Sequence, residues 1–239
     1  MPGYVPPCGT ACPAGTDVQG YIALAGAGRY EDAYRLIRQS NPFPSVCGRI
    51  CNHPCQAACN RNDLDESVGI RDIKRFVADK AFENGMPVVE KKRKSNGKKI
   101  AVIGAGPSGL SCAYYLQLSG YSVEVFESES VAGGVLAYGI PEYRLPKAVL
   151  NRDIQAIEAT GVQIHLNTTV GEDVSFDELY KKFHAVYVST GTQLSRKANI
   201  PGEDMPGVYH GLDFLKAVNL GKPVEIGKKV ADIGRATPH

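Results

Sequence analysis

Six of the seven cysteines of this chain lie within its first 59 residues. Thiolates are soft ligands that suit iron, and closely spaced cysteines with proline and glycine among them can wrap a chain around a 4Fe–4S cube. Structural zinc is an alternative, but one zinc ion takes four ligands, commonly as two pairs, and six thiols exceed that number. Plain structural thiols leave the equal three-residue gaps in the second part of the series unexplained. The candidate metal ligands are Cys8, Cys12, Cys47, Cys51, Cys55 and Cys59.

A glycine loop near the middle of the chain is the second group of residues with potential chemistry. It follows the apolar run 100–103 and leads into a helical pattern that starts at Leu110. In such a loop the first glycine permits a tight turn, the second lets the backbone approach a pyrophosphate, and the third lets helix and strand pack closely. The free N–H groups at the start of the helix favour an anion. The predicted dinucleotide site comprises Gly104, Ala105, Gly106, Pro107, Ser108 and Gly109.

An acidic residue stands where a dinucleotide site requires one. Glu127 ends a second apolar run, 18 residues beyond Gly109. A carboxylate at this place binds the ribose hydroxyls and disfavours a 2′-phosphate. The alternative interpretation, a glycine-rich turn in an unrelated α/β protein, makes the position of Glu127 an accident.

Two kinds of sequence pattern surround these residues. Between positions 16 and 84 apolar residues recur at helical spacing in short pieces, which predicts an all-α domain over residues 1–88. Beyond Lys98 apolar runs and helical patterns alternate, which is typical of a doubly wound α/β sheet. Strands are predicted at 100–103, 122–126, 162–166 and 185–188, and helices at 108–118, 147–159 and 176–183.

A polar, basic stretch separates the two patterns and is interpreted as a linker over residues 89–97. We expect its lysines and arginine to be solvated. The whole chain carries 27 basic and 25 acidic residues, a net charge of +2, which favours neither nucleic acid nor an anionic membrane as partner. With no apolar run near the ~18 residues of a membrane span and no signal peptide in the first seven residues, we expect a cytoplasmic location. Clustered cysteines there indicate metal or redox chemistry before disulfides.

With these motifs in place, the chain resembles the flavin- and iron–sulfur-containing oxidoreductases typified by the glutamate synthase small subunit and the N-terminal part of dihydropyrimidine dehydrogenase. The resemblance runs from Cys8 to about Ile226 and implies an N-terminal all-α iron–sulfur domain followed by an α/β doubly wound, Rossmann-like domain over 98–226. In the family the first dinucleotide motif holds FAD. Matching segments extend the implied FAD site to Gly133, Gly134, Arg144, Thr190 and Gly191.

The resemblance also bears on the cysteines. Relatives carry two 4Fe–4S clusters, with further cysteines upstream of the position matching Cys8, and one type of relative takes a ligand from a Gln or Glu at the place of 73–75. This chain has only seven residues before Cys8 and a lysine and an arginine at that place. One or two clusters are therefore expected. One would use Cys12, Cys51, Cys55 and Cys47, and a second, incomplete or partner-completed site would use Cys8 and Cys59.

The last implication concerns the C-terminus and the activity. Residues 227–239 resemble the start of the NAD(P)H-binding domain of relatives, but no second glycine loop follows, so a truncated or fragmentary chain is expected. The implied function is hydride transfer from NAD(P)H to FAD and single-electron transfer through the clusters to or from a partner subunit, with no side chain acting as acid or base. The alternatives are a non-catalytic zinc or thiol docking module fused to a nucleotide-binding domain, and an NAD dehydrogenase with a cysteine-rich extension.

Overall fold

The computed structural model describes residues 6–83, 85, 92–197 and 199–233. Up to Glu83 the described chain forms helices only, joined by short turns. The apolar faces of most of them meet in one cluster. The elements are α1 (Pro7–Thr10), α2 (Val18–Gly26), α3 (Tyr30–Arg38), α4 (Pro44–Ile50), α5 (Pro54–Ala57), a 3-10 helix (Asn60–Asp63) and α6 (Ile70–Glu83).

The helices form where the apolar periodicity predicts them. The Asp17 carboxylate caps α2 by accepting the Gly20 N–H at 2.9 Å, because Asp readily satisfies a free N–H of the first turn. The α3 face of Ala33, Tyr34 and Ile37 is buried, as its spacing predicts. Phe76 of α6 also recurs at helical spacing, but it is 45% exposed and packs edge-on against the Tyr30 ring.

The second half of the described chain is a parallel sheet with helices. Its strands agree with the predicted ones to within two residues at each end. The elements are β1 (Lys99–Ile103), α7 (Pro107–Leu118), β2 (Ser122–Phe126), α8 (Val135–Tyr138), α9 (Lys147–Glu158), β3 (Gln163–His165), α10 (Phe176–Lys182), β4 (Ala185–Val188) and α11 (Gly211–Asn219).

The order of the strands is β3-β2-β1-β4, and all pairs are parallel. β1 therefore has β2 and β3 on one side and β4 on the other, so the strand order reverses at β1. This reversal opens a crevice at the carboxyl end of β1, which is where ligands bind in open α/β sheets. Ile100, Val102, Val123 and Val125 are buried, because the middle of a parallel sheet is covered on both faces.

The helical half and the sheet share one hydrophobic core. Phe43 and Val46 of the α4 region belong to the same buried cluster as Ile100 and Val102 of β1. α4 packs against α9 across this boundary. The two halves are thus fixed to each other by apolar packing as well as by the chain that joins them.

Buried polar groups cross the same boundary. The Asp153 carboxylate of α9 accepts the Val46 N–H at 3.0 Å, and the Arg38 guanidinium donates to the Ala156 carbonyl at 3.2 Å. The Tyr114 hydroxyl donates to the Arg38 carbonyl, and the guanidinium lies 4.8 Å from the centre of the Tyr114 ring. Buried groups of this kind are directional, so they fix the register of the two halves.

Residues 92–97 of the linker are exposed, as expected of a solvated stretch. Two of them also contact helix ends: the Lys92 ammonium donates to the Thr160 carbonyl beyond the end of α9, and the Arg93 N–H donates to the Leu118 carbonyl at the end of α7. Carbonyls at helix ends attract donors and cations. Residues 227–233 are exposed and form no strand. Linker positions 89–91 and residues 234–239 lie outside the described residues.

No helix in the described ranges has both the length and the apolar character needed to span a lipid bilayer.

Asp153 generates a prediction about pH. Burial raises the pKa of Asp153 to about 7, although the Val46 N–H and the Arg38 charge oppose that rise. The folded protein then keeps this proton to higher pH than the unfolded chain does. The free energy of unfolding should fall as the pH rises from about 4 to about 7, by about 1.4 kcal/mol per pKa unit, and Asp153→Asn should remove that fall.

Urea unfolding at several pH values between 4 and 8 tests this prediction. Asparagine keeps a carbonyl for the Val46 N–H, so the variant changes the charge and leaves the hydrogen bond. The exposed Asp177→Asn variant is the control and should follow the parent. An identical pH slope in parent and Asp153→Asn would contradict the prediction.

Candidate functional site

A cleft of about 300 Å³ opens at the carboxyl ends of the strands, at the crevice beside β1. Four segments that are distant in sequence line it. They are the glycine loop after β1, the turn after β2 with the start of α8, the turn after β3, and the turn after β4. The predicted site residues that line the cleft are Gly104, Gly106, Pro107, Ser108, Glu127, Gly134, Thr190 and Gly191.

The three glycines of the loop have the three predicted roles. Gly104 has φ +100°, and a Cβ there would lie 2.4 Å from the Ser189 carbonyl oxygen. A Cβ at Gly109 would lie 2.0 Å from the Gly104 oxygen, so this glycine lets α7 pack on the loop. Gly106 is different, because a Cβ there would meet no protein atom within 4 Å. Its lack of a side chain leaves open space for a ligand.

The start of α7 faces this space. Pro107 occupies the first turn, and no side chain caps the helix. The first N–H groups of a helix have no partner within it, and the helix dipole adds a partial positive charge. The loop therefore offers backbone donors to an anionic group such as a diphosphate.

Glu127 connects the loop to the end of β2. It is 4% exposed, and its carboxylate accepts the Ala105 N–H at 2.7 Å and the Glu129 N–H at 2.9 Å. A carboxylate has about four lone-pair sites, so these two bonds leave capacity for a sugar hydroxyl from the cleft. Glu127 thus has a structural contact that the sequence did not reveal, in addition to its predicted place beside the ligand.

The double glycine packs on the outside of the loop. The Gly133 N–H donates to the Ala105 carbonyl at 2.8 Å, and a Cβ at Gly134 would lie 2.9 Å from the Gly106 Cα. Gly134 lines the cleft, whereas Gly133 meets Leu150 and Ala137 behind it. Gly133 therefore supports the loop, and Gly134 lies at the ligand space.

The remaining predicted site residues also divide into those that line the cleft and those that do not. Thr190 and Gly191 line the cleft beside β1, while Ala105 is buried in the loop. Arg144 is exposed and is not among the residues that line the cleft. Its segment therefore does not bring a positive charge to this site within the described chain.

Residues after β3 complete one wall of the cleft and were not predicted. Thr168, Thr169 and Val170 line it, and the Thr168 N–H donates to the Glu127 carbonyl at 2.8 Å. Carboxyl ends of parallel strands meet at one edge of a sheet, so the end of a predicted third strand was the available signal. Tyr138 of α8 also lines the cleft, and its segment resembles the flavin-side segment of the family.

Cys8 and Cys55 pack in the same hydrophobic cluster as the buried Tyr21 of α2. The Tyr21 hydroxyl donates to the Ile70 carbonyl at 3.0 Å. Burial and, after it, the neighbouring thiols raise the pKa of Tyr21. The thiols that act on Tyr21 are those of Cys55, Cys12, Cys8 and Cys51.

The thiols that act on Tyr21 include Cys8 and not Cys47, whereas the expected first centre includes Cys47 and not Cys8. Cys8 lies in α1, which packs against α5, so it faces the same tyrosine as Cys55. Cys47 lies one turn before Cys51 in α4, and its S–H donates to the Asn41 side chain at 3.7 Å. Burial raises the pKa of Cys47. Cys59 follows α5 and lies near Arg61.

Backbone groups donate to two of these thiols. The His53 N–H donates to the Cys51 sulfur at 3.3 Å, from a residue with φ +45°. Although burial opposes it, hydrogen bonds from Thr16 and Ala14 hold the pKa of Cys12 below its usual value. Hydrogen bonds to thiolate sulfurs are among the factors that set iron–sulfur potentials.

The donor set fits a cluster better than a single ion. Within the described ranges no three His, Cys, Asp or Glu side chains are arranged to hold one metal ion. Zinc with Zn–S bonds of about 2.3 Å would draw its thiols to within roughly 4 Å of one another. A 4Fe–4S cube is larger and holds its four ligands farther apart. The six free cysteines of the helical half are more soft donors than one zinc ion takes.

A second cavity, of about 580 Å³, lies between the two halves of the molecule. Cys47 and Cys51 line it on the helical side, and Pro107 and Leu136 line it on the other side. Pro107 also lines the cleft at the glycine loop. The thiol site and the cleft are thus neighbours on either side of the start of α7.

The fold and the two sites define a class: an iron–sulfur domain followed by a Rossmann-like nucleotide-binding domain. Residues 3–86 match the family model of dihydropyrimidine dehydrogenase domain II with its 4Fe–4S cluster. Residues 102–169 match the model of the NAD(P)-binding Rossmann-like domain. The predicted fold class is confirmed by these matches.

Individual relatives agree with the resemblance seen in the sequence. The chain is 41% identical over 237 residues to the NADPH-Fe(3+) oxidoreductase subunit beta of Geobacter sulfurreducens, covering 97% of this chain and 35% of that protein. It is 43% identical to the NADP(+)-dependent formate dehydrogenase subunit beta of Moorella thermoacetica, covering 95% and 36%. The glutamate synthase [NADPH] small chain of Escherichia coli is 39% identical, covering 89% and 45%. The predicted relationship is confirmed, and the chain spans less than half the length of these relatives.

The loop glycines give a prediction about stability. Gly109→Ala should lower the free energy of unfolding by about 2 kcal/mol or more, because the new methyl group would overlap the Gly104 carbonyl. Gly106→Ala should change it by less than about 0.5 kcal/mol, because φ is −73° and the space is open. Urea unfolding of both variants measures the difference, and equal losses would contradict these roles.

Proposed function

We propose that this chain is the iron–sulfur and FAD-binding portion of an NADPH-dependent electron-transfer oxidoreductase. The observation that carries the proposal is the cleft at the carboxyl end of β1, where Gly106 leaves open space between the α7 N-terminus and Glu127. Relatives whose names print an NADPH- or NADP-dependent reaction support the pyridine nucleotide as electron donor or acceptor.

In this proposal the chain's own residues bind and orient FAD. The diphosphate lies against the N–H groups at the start of α7, and Glu127 accepts hydrogen bonds from the ribose. Thr190 and Gly191 are placed beside the flavin half. When bound, FAD supplies the conversion between two-electron and one-electron transfer. No side chain in the cleft is assigned a proton-transfer role.

The proposed iron ligands are the thiols grouped around Tyr21. Cys8 and Cys12 approach from α1, and Cys51 and Cys55 from the ends of α4 and α5. Cys47 and Cys59 remain candidates for a second centre. Soft thiolates favour iron–sulfur over harder ions.

The relatives act as subunits, since their names print beta subunit or small chain. We therefore propose an electron-exchanging partner subunit for the whole protein and a cytoplasmic location, without a nucleic-acid or membrane partner. The identity of the final electron acceptor is left open by the differing names of the relatives.

The first test is the colour and content of the protein purified without air. We expect bound iron with acid-labile sulfide and a yellow-brown protein that binds added FAD. A colourless protein that holds zinc would support the docking-module alternative instead. A protein that binds NAD in the cleft in preference to FAD would support the dehydrogenase alternative.

A second test separates binding from folding in the cleft. Gly106→Ala should weaken FAD binding at least about tenfold, because its methyl group takes the space of the diphosphate, while the fold is unchanged. Gly26→Ala is the matched control, since a Cβ at this exposed helical glycine also meets no atom within 4 Å. FAD titrations measure both variants, and equal affinities would contradict the proposal.

A third test concerns the ligand set. Cys51→Ser should lower the iron content at least about twofold after anaerobic reconstitution, because a hydroxyl is a poor substitute for a soft thiolate. Cys47→Ser and the half-buried Cys112→Ser should retain the first centre. Equal iron loss in Cys47→Ser and Cys51→Ser would contradict this assignment and indicate that Cys47 is also a ligand of the first centre.

A further inference from the structure

A lysine lies inside the thiol site and is not explained by the fold. Lys74 of α6 is 7% exposed, and its ammonium nitrogen lies 5.9 Å from the centre of the Tyr21 ring. Lysine is almost never buried unless its charge is compensated. At that distance a cation–π contact is near the limit of its range, so the ring alone does not compensate the charge.

The other cations of α6 and α4 have carboxylate partners. Arg49 binds Asp79 at 2.8 Å, Arg75 lies 3.8 Å from Asp79, and Arg71 lies 3.8 Å from Asp72. Within the described ranges Lys74 has no carboxylate within ion-pair distance. The positive charge of Lys74 is therefore not compensated by a carboxylate of the described residues.

The segments that carry the cysteines pack around Lys74. α6 packs against both α4 and α5, in which Cys47 and Cys55 lie. One turn before Lys74, the Arg71 guanidinium donates to the Cys51 carbonyl at 3.2 Å, and Cys55 is buried in the same hydrophobic cluster as Tyr21. Lys74 is thus the common cation of the thiol site.

We propose that Lys74 is a positioning residue that offsets the charge of the thiolate ligands and favours the reduced state of the iron–sulfur centre. The proposal rests on the proposed function, since it needs that centre at these thiols. Reduction adds one electron and hence one negative charge, and no bond forms or breaks. The electron comes from the reduced flavin, or from dithionite in the test. A fixed positive charge in a poorly solvated site stabilises that added charge.

The test is a reductive titration of the reconstituted chain, followed by electron paramagnetic resonance. At the parent's midpoint potential, Lys74→Met should show about a tenfold lower ratio of reduced to oxidised centre, which is about 59 mV for one electron. Lys74→Arg keeps the charge and should stay near the parent. Lys80→Met, on the same helix but exposed and paired with Glu83, is the matched control and should not change the ratio.

Each outcome decides the proposal. Unchanged potentials in Lys74→Met, or equal shifts in Lys74→Met and Lys74→Arg, would overturn it while leaving the proposed function intact. If Lys74→Met takes up no iron, Lys74→Leu replaces it, since leucine is neutral and has no lone pair to offer the centre. Iron loss in both neutral variants with retention in Lys74→Arg supports a need for the charge, and loss in all three overturns it. A parent without iron would overturn the proposed function and this inference together.

Discussion

The hydrogen bond from the Ala105 N–H to the Glu127 carboxylate joins the loop after β1 to the end of β2. The same residue accepts the Glu129 N–H on its other oxygen and the Thr168 N–H on its carbonyl. Three strand ends are therefore held together at one acidic residue. The carboxylate is buried, and each of its oxygens accepts one backbone N–H. These bonds hold the loop in shape before any ligand binds.

The thiol site is built on a different principle. Its cysteines come from turns and short helices, which by themselves do not fix a side chain in space. Tyr21, Lys74 and the longer helix α6 form the core against which the cysteine segments pack. Backbone donors such as the His53 N–H orient individual sulfurs. The helical half thus contributes a scaffold around the thiols, while the sheet contributes an edge around the nucleotide.

Much of the sheet and the cleft could be predicted from the sequence because they depend on local signals. The loop glycines, the second-strand acid and the alternation of strands and helices all have fixed spacings. What the sequence could not show depends on contacts between distant residues. Phe76 has the right spacing for the core but lies at the edge of the packing, and Lys92 meets a carbonyl 68 residues away. Spacing also could not decide between Cys8 and Cys47, since both precede a second thiol by four positions.

The shared core around Phe43 and Val46 has a consequence for electron movement. Domains joined only by a flexible linker can swing, and transfer between them then waits on a productive encounter. Here apolar packing and the buried Asp153 and Arg38 join the two halves directly. In the proposed function, the separation between the thiol site and the cleft would therefore be set by the packing of the fold.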